Sequence, residues 1–338
     1  MQKSHGLLRG FLGGQAAEAG KVSASILFCH ANGFCKDVWV PVVEELDRLL
    51  IAESVDDSSR NSRSVQWLSA DLPGHGDRST SDLRDATAWI DSMATDVAGH
   101  ARSQYMKNSR RRIGVGMSLG GAALLIAQHK DPSLFTDLIL LEPVVGHGAP
   151  GAPSLSTLYS PDSPLAVATL KRRSTFASAD EAESFFASRK VFSKVDRRCL
   201  QQYCLGGLKY KVETGQKMGE EGTFALAAQP AFESEIYKRF PVFSPDALSK
   251  IGSGSCRITL AAGGDSDFMG GAASYYLGKG GIHELLGGCD TVLLDGSHFA
   301  PLEQCHDVAK LIASSLFDSA DADSGQGHPY YDGGTARL

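Results

Sequence analysis

The chain has 338 residues, a hydrophobic fraction of 42%, seven scattered cysteines and a formal net charge of −6. This length and composition suit one large α/β domain or two small ones, and the acidic balance argues against nucleic-acid binding. No window is apolar enough to span a bilayer, and the broken apolar runs of residues 1–20 make a poor signal peptide. Without a secretory signal or a C-x-x-C spacing, we interpret the cysteines as reduced thiols of an intracellular protein, and we expect neither a metal site nor a cofactor.

Short apolar runs that predict strands alternate with longer runs that predict helices, which is typical of a parallel sheet with crossover helices. The predicted strands cover residues 24–29, 65–70, 113–115, 137–141, 257–262 and 291–294. The predicted helices cover residues 37–50, 86–100, 122–128 and 300–316. The sequence therefore predicts the α/β class with a mostly parallel central sheet flanked by helices.

This alternation stops at residues 146–245, which open with a Pro/Gly/Ser-rich loop and continue with helical stretches. Because the strand pattern resumes at Arg257, we interpret this block as an inserted helical cap rather than a separate domain. The predicted organisation is a core formed by residues 1–145 and 246–317, and a flexible tail at 318–338.

A predicted strand, a glycine-rich turn and a predicted helix follow one another around Ser118. Residues 116–120 read Gly-Met-Ser-Leu-Gly and fit the pattern G-x-S-x-G, in which a serine occupies a sharp strand-to-helix turn. Small neighbours are needed there so that the helix can pass close to the strand. Ser118 is therefore the candidate nucleophile, and the alternative is a glycine-rich turn with an incidental serine.

A serine hydroxyl needs a base to take its proton, and His298 is the candidate. It lies in the loop 295–299, directly after a predicted strand and before a predicted helix. Loops at the carboxyl ends of parallel strands are where α/β sheets place reactive groups.

The carboxylate that orients this histidine should follow an earlier strand. The loop after residues 257–262 offers Asp267 and Asp265, of which Asp267 is preferred and Asp265 is the alternative. Glu142, directly after the strand 137–141, is a third possibility.

An oxyanion hole requires two backbone N–H donors. Leu119, which follows the nucleophile at the start of a helix, is one candidate, and Asn32, in the loop after the first long strand, is the other. We interpret His30 in the same loop as a stabilising hydrogen-bond partner and not as a catalyst.

Five loops in order resemble those of the α/β-hydrolase superfamily with a helical cap, over about Ser25 to Leu316. They are the phrases at residues 30–34, 71–79, 116–120, 264–267 and 296–299. The resemblance implies the α/β-hydrolase fold, and its G-x-x-D loop supports Asp267 as the acid. Shorter phrases at residues 30–36, 141–143 and 172–176 are similar to a fungal-type subgroup of peroxisomal lipase-like and toxin-biosynthesis hydrolases.

The resemblance implies a serine hydrolase that cleaves an apolar carboxylic ester, lipid or thioester through an acyl-enzyme. Related epoxide hydrolases and haloalkane dehalogenases carry Asp at the elbow, where this chain has Ser118. We expect Phe34, Met117, Phe268 and Phe299 to line the pocket, although many members have His where Met117 stands. The alternatives are a carbon–carbon bond hydrolase of the same fold and a non-catalytic ligand-binding protein on this scaffold.

The sequence ends in Ala336-Arg337-Leu338, a conservative variant of the S-K-L peroxisomal signal. This tripeptide predicts a peroxisomal import receptor as a partner and a peroxisomal location, with the cytoplasm as the alternative.

Overall fold

A computed structural model of the protein describes residues 1–4, 6–13, 22–56, 64–82, 89–149, 160, 162–211, 222–239, 241–317 and 336–337. Its strands, in chain order, are Gln2–Ser4 (β1), Leu7–Leu12 (β2), Val22–Cys29 (β3), Ser64–Ala70 (β4), Arg111–Met117 (β5), Asp137–Leu141 (β6), Gly146–His147 (β7), Thr175–Phe176 (β8), Leu208–Lys211 (β9), Thr223–Leu226 (β10), Val242–Phe243 (β11), Arg257–Gly263 (β12), Asp290–Leu294 (β13) and Ala336–Arg337 (β14).

The α-helices are Val40–Asp56 (α1), Trp89–Ala101 (α2), Leu119–Lys130 (α3), Pro164–Leu170 (α4), Ala179–Ala187 (α5), Arg197–Gly207 (α6), Pro230–Tyr237 (α7), Pro245–Gly252 (α8), Ile282–Leu285 (α9), Ala300–Glu303 (α10) and Cys305–Phe317 (α11). Short 3₁₀ turns cover Lys36–Trp39, Thr80–Asp82, Lys190–Phe192 and Phe268–Gly270, and a π turn covers Ala273–Leu277.

Nine strands form the central sheet in the order β1-β2-β4-β3-β5-β6-β12-β13-β14. All neighbouring strands from β4 to β14 are parallel, whereas β1, β2 and β4 pair antiparallel. This arrangement confirms the predicted mostly parallel sheet flanked by helices.

Both faces of the sheet are covered by apolar side chains, as expected for buried parallel strands. On β3, Ile26 and Phe28 pack into one cluster with α1 and α11, and Leu27 and Cys29 pack into a second cluster with α2 and α3. Because successive strand residues face opposite sides, one continuous apolar run supplies both layers.

The N-terminal hairpin is a feature that the sequence analysis did not predict. Leu7–Leu12 forms β2 along β4, and Leu8 and Leu12 are buried while Arg9 and Phe11 are exposed. This broken apolar run is therefore a strand with alternating burial that lies between β1 and β4, second from the edge of the sheet.

The segment between β6 and β12 contains α4 to α8, the short parallel pair of β7 and β11, and a small antiparallel sheet in the order β8-β10-β9. The expected cap is thus mixed in its secondary structure. Its helix α6 packs against the turn Lys36–Trp39 of the core. All seven cysteines are free thiols, and the sulfur atoms of Cys199 on α6 and Cys305 on α11 lie 3.4 Å apart.

Within the described ranges, no helix is both long enough and apolar enough to cross a membrane. The C-terminal residues Ala336 and Arg337 form β14 beside β13, and the remaining residue of the tripeptide, Leu338, lies outside the described residues, as does most of the tail.

Candidate active site

Ser118 occupies a strained turn between β5 and α3. Its backbone has φ 53° and ψ −114°, a region that non-glycine residues rarely adopt. The turn is held by hydrogen bonds from the Ser118 amide to Leu141 O (3.0 Å) and from the Val144 amide to Ser118 O (3.1 Å). Maintained strain of this kind is typical of functional positions, and here it presents a serine at the carboxyl edge of the sheet.

Two glycines allow the close packing around this turn. A Cβ atom on Gly120 would lie 2.3 Å from Cys29 O, and one on Gly116 would lie 2.7 Å from the Gly121 amide nitrogen. The start of α3 therefore contacts the end of β3 directly, which brings Leu119 beside the loop that contains Asn32.

His298 is oriented by Glu142. Its Nδ1 atom lies 2.6 Å from Glu142 Oε2, and its ring lies against Phe268 with centroids 4.0 Å apart. An ionised carboxylate only accepts hydrogen bonds, so Nδ1 carries the proton and Nε2 is left as the proton acceptor. This is the tautomer that a general base for a serine hydroxyl requires.

Glu142 is held rigidly at the end of β6. Its side chain is almost fully buried, and it also accepts hydrogen bonds from the Gly263 amide (2.7 Å) and Ser266 Oγ (2.9 Å). The backbone of Glu142 adopts φ 46°. Among the described residues, three non-glycine residues have positive φ, and two of them are Ser118 and Glu142 of this site.

The preference for Asp267 as the partner of His298 is therefore wrong in this structure, and so is the alternative, Asp265. Ser266, between them, is buried and donates to Glu142, whereas Asp267 is exposed at the rim of the cavity that contains Ser118. Asp265 pairs with Lys194 at 2.9 Å on the surface, and no hydrogen bond joins Asp267 to His298 within the described chain.

One signal in the sequence points to Glu142. It is a charged residue directly after the wholly apolar part of a strand, where an unpaired carboxylate is costly to bury. The chain order nucleophile, acid, base does not distinguish it, because Asp265 and Asp267 also lie between Ser118 and His298. The G-x-x-D spacing of the loop 264–267 favours Asp267, but the spacing of a loop does not determine where its side chains point.

The candidate oxyanion residues meet beside the serine. Asn32, Ser118 and Leu119 are among the residues that line one small cavity of about 10 Å³. The Leu119 and Asn32 amides donate no hydrogen bond to the described part of the chain. Two free amides next to a strained serine are what an oxyanion requires.

Buried histidines fix the loop that contains Asn32. His30 bonds Ala31 O through Nδ1 and accepts from the Leu72 amide through Nε2, while His75 Nε2 lies 3.1 Å from Asn32 Oδ1. Burial lowers the pKa of His30 to about 4 and that of His75 to about 3. Both are therefore neutral at physiological pH, and His30 is fully engaged in holding the loop.

The same loop is anchored by a buried ammonium group. Lys36 is fully buried, and its Nζ atom lies 2.9, 3.0 and 2.8 Å from carboxylate oxygens of Asp37, Asp71 and Asp77. Asp77 also pairs with Lys209 of the cap strand β9. The network joins the loop after β3, the loop after β4 and the cap.

We expect Lys36→Met to reduce the free energy of unfolding by about 3–5 kcal/mol, because it leaves clustered buried carboxylates without their shared cation. Denaturant-induced unfolding measures this loss. Lys190→Met is the matched control: Lys190 is an exposed lysine without an ion pair in the described chain, and its replacement should change stability by less than about 0.5 kcal/mol. Equal small effects would contradict a structural role for the network.

A cavity of about 820 Å³ lies between the core loops and the cap, and Ser118 and His298 both line it. Its walls are mainly apolar, which suits acyl chains. The core contributes Phe34, Phe268 and Phe299 as expected, and the cap contributes Phe185, Phe186 and Phe192.

Met117 does not line this cavity, contrary to expectation. It is the last residue of β5 and is fully buried in the core cluster. Because successive strand residues face opposite sides, the neighbour of the cavity-facing Ser118 points into the core.

Within the described residues, no group of three or more His, Cys, Asp or Glu side chains could hold a metal ion.

A mostly parallel sheet with a strained serine at a strand-to-helix turn is the scaffold of the α/β-hydrolase class. Residues 26–311 match the model of the Alpha/beta hydrolase family, and the chain therefore belongs to this family.

Two curated proteins are similar to about half of the chain. The Type I acyl-CoA thioesterase mpaH of Penicillium brevicompactum is 28% identical over 179 residues, 51% of this chain and 37% of that protein. The peroxisomal membrane protein LPX1 of Saccharomyces cerevisiae is 30% identical over 192 residues, 52% of this chain and 46% of that protein. The matched region thus spans less than half the length of either relative.

Among solved structures, the peroxisomal alpha-beta-hydrolase Lpx1 of Saccharomyces cerevisiae is similar over nearly the whole chain. It has a TM-score of 0.64 at 20% identity, and the match covers 94% of this chain and 83% of that one. This similarity concerns the fold.

Proposed function

We propose that this protein is a serine hydrolase that cleaves a carboxylic ester or thioester of an apolar acyl group. The observation that carries the proposal is the 2.6 Å contact between His298 Nδ1 and Glu142 Oε2, on a histidine that shares a cavity with the strained Ser118. Names of similar proteins, which include an acyl-CoA thioesterase, support the same type of reaction.

In the proposed reaction, Ser118 Oγ attacks the acyl carbonyl carbon and His298 Nε2 takes its proton. Glu142 keeps the imidazole in the required tautomer and stabilises the imidazolium that forms. The Leu119 and Asn32 amides stabilise the developing oxyanion. The leaving group departs with the proton from His298, and a water molecule activated by the same histidine then hydrolyses the acyl-enzyme.

A panel of p-nitrophenyl esters and acyl thioesters, from acetyl to palmitoyl, tests this proposal. We expect kcat/KM to rise with chain length by roughly fourfold for each methylene group that enters the apolar cavity, since burial of one contributes about 0.8 kcal/mol. The rise should end when the cavity is filled. Absence of turnover on every ester and thioester would overturn the proposal, and a preference for acetyl would remove the apolar acyl group from it.

We also propose that the protein is located in peroxisomes and reaches them through an import receptor that binds Ala336-Arg337-Leu338. The names of the Saccharomyces cerevisiae relatives support this location. Since Ala336 and Arg337 pair with β13, such a receptor must first release β14. An N-terminal fluorescent fusion should enter peroxisomes, and deletion of Leu338 should leave it in the cytosol; import of both forms would contradict the assignment.

A further inference from the structure

The cavity that contains Ser118 is lined by more cations than anions. Its ionisable lining residues besides His298 and the tyrosines are Lys171, Arg172, Arg173, Arg189, Glu233 and Asp267. Arg172 is neutralised by the buried Glu233, whose Oε2 atom lies 2.6 Å from Arg172 Nη2. Lys171, Arg173 and Arg189 then remain exposed in the lining against Asp267, and only Arg173 of these three has a carboxylate partner, Glu181, outside the lining, within the described residues. The net charge of the chain is −6.

These three residues, Lys171, Arg173 and Arg189, are here called the cationic rim. The guanidinium groups of Arg173 and Arg189 lie 5.5 and 4.0 Å from the centre of the Phe185 ring. Stacking on one ring holds both groups close together and leaves the N–H edges of Arg189 available. Arg173 also pairs with Glu181 at 2.6 Å.

Neither Lys171 nor Arg189 forms an ion pair with the residues that the structure describes, although other exposed cations of the cap do. Arg197 pairs with Glu183 and Lys194 pairs with Asp265. The rim therefore keeps an excess of positive charge at a place where substrate must pass, and such a potential attracts anionic ligands.

We propose that the cationic rim binds phosphate groups on the leaving-group side of the substrate, so that the preferred substrate is an acyl thioester or ester whose leaving group carries phosphates. The inference rests on the proposed function, which places the acyl chain in the apolar cavity and the scissile carbonyl at Ser118. The leaving group then extends toward exposed protein surface, where the rim lies. Guanidinium groups match phosphate oxygens through paired N–H donors.

Two sources supply this chemistry: coenzyme A, which carries phosphates on a thiol, and a glycerophosphate headgroup, which carries one on an alcohol. Dodecanoyl-coenzyme A, dodecanoyl-lysophosphatidic acid and the dodecanoyl thioester of N-acetylcysteamine have the same acyl chain and differ in phosphate content. Comparison of the first with the third isolates the contribution of the phosphates, because both are thioesters.

The variant is the triple substitution Lys171→Gln, Arg173→Gln and Arg189→Gln, with Lys190→Gln as the matched control, since Lys190 is exposed next to Arg189 but does not line the cavity. We expect the triple variant to lower the ratio of kcat/KM between a phosphate-bearing substrate and the N-acetylcysteamine thioester by about tenfold, through KM. Added salt should lower the same ratio in the wild type. The phosphate-bearing substrate whose kcat/KM ratio falls the most in the triple variant identifies the source of the phosphates.

An unchanged ratio, or an equal change in Lys190→Gln, would overturn the proposal. The proposal would also be overturned if the triple variant bound anionic vesicles more weakly than the wild type while the kcat/KM ratio stayed constant. That result would assign the rim to binding of a membrane surface. Calorimetric binding of coenzyme A itself and of glycerol 3-phosphate to wild type and triple variant involves no turnover. If the wild type hydrolysed none of the substrates but bound these ligands, and the triple variant did not bind them, the phosphate-binding role of the rim would stand. The proposed hydrolase function would then fail separately.

Discussion

Ser118→Ala is expected to reduce turnover of the preferred ester or thioester by about 10⁴-fold or more, because the acyl-enzyme route is lost. Covalent labelling by a fluorophosphonate should be lost at the same time, since this probe reacts with activated serines. The strained turn at Ser118 is held by backbone hydrogen bonds to Leu141 and from Val144, which do not involve the serine side chain. Alanine at this position therefore occupies the same turn, and the melting temperature should change little.

Ser314→Ala is the matched control for labelling. Ser314 is as buried as Ser118, lies on α11 and bonds only backbone carbonyls. Its replacement should leave both labelling and turnover intact. Labelling that persists in Ser118→Ala would mean that another serine is the activated one, and the proposed chemistry would then not belong to the elbow.

Most of the central sheet could be predicted from local patterns. The apolar runs that become β3 to β6, β12 and β13 are short and separated by helical segments, so their pattern determines their type and parallel order. The G-x-S-x-G turn is equally local: its glycines are required by contacts a few residues away and by the adjacent end of β3.

Features that depend on distant partners could not be predicted in this way. The segment Leu7–Leu12 becomes a strand because β4 offers an edge to it, and β8 to β10 of the cap form a sheet only because they meet one another. Short segments of this kind carry little intrinsic preference, so tertiary contacts decide their conformation.

The acid assignment illustrates the same limit within the site. Asp267 and Glu142 both follow strands at the carboxyl edge of the sheet, and β6 and β12 are direct neighbours. Either carboxylate is therefore near His298 by topology alone. In the structure His298 and Ser266 both contact Glu142, and side-chain direction in a loop is not encoded in the spacing of one motif.

Glu142→Gln should lower kcat by about 10³–10⁴-fold, as expected when the carboxylate that orients a catalytic histidine becomes an amide. Glu142 Oε1 accepts from the Gly263 amide, and Oε2 accepts from Ser266 and His298. Both oxygens of Glu142 thus face donors, so the amide NH₂ group meets a donor in either orientation. It either opposes Gly263 or drives His298 into the wrong tautomer.

Asp267→Asn and Asp265→Asn are the matched controls, because each removes one negative charge from the neighbouring loop without touching the Nδ1 contact of His298. We expect either to change kcat by no more than a few-fold. Steady-state kinetics on one substrate, with the melting temperature of each variant, separates loss of chemistry from loss of folding. If Asp267→Asn lowered kcat more than Glu142→Gln did, with both variants folded, the orienting role would belong to Asp267. Matching melting temperatures would show that the difference in kcat does not come from a loss of folding.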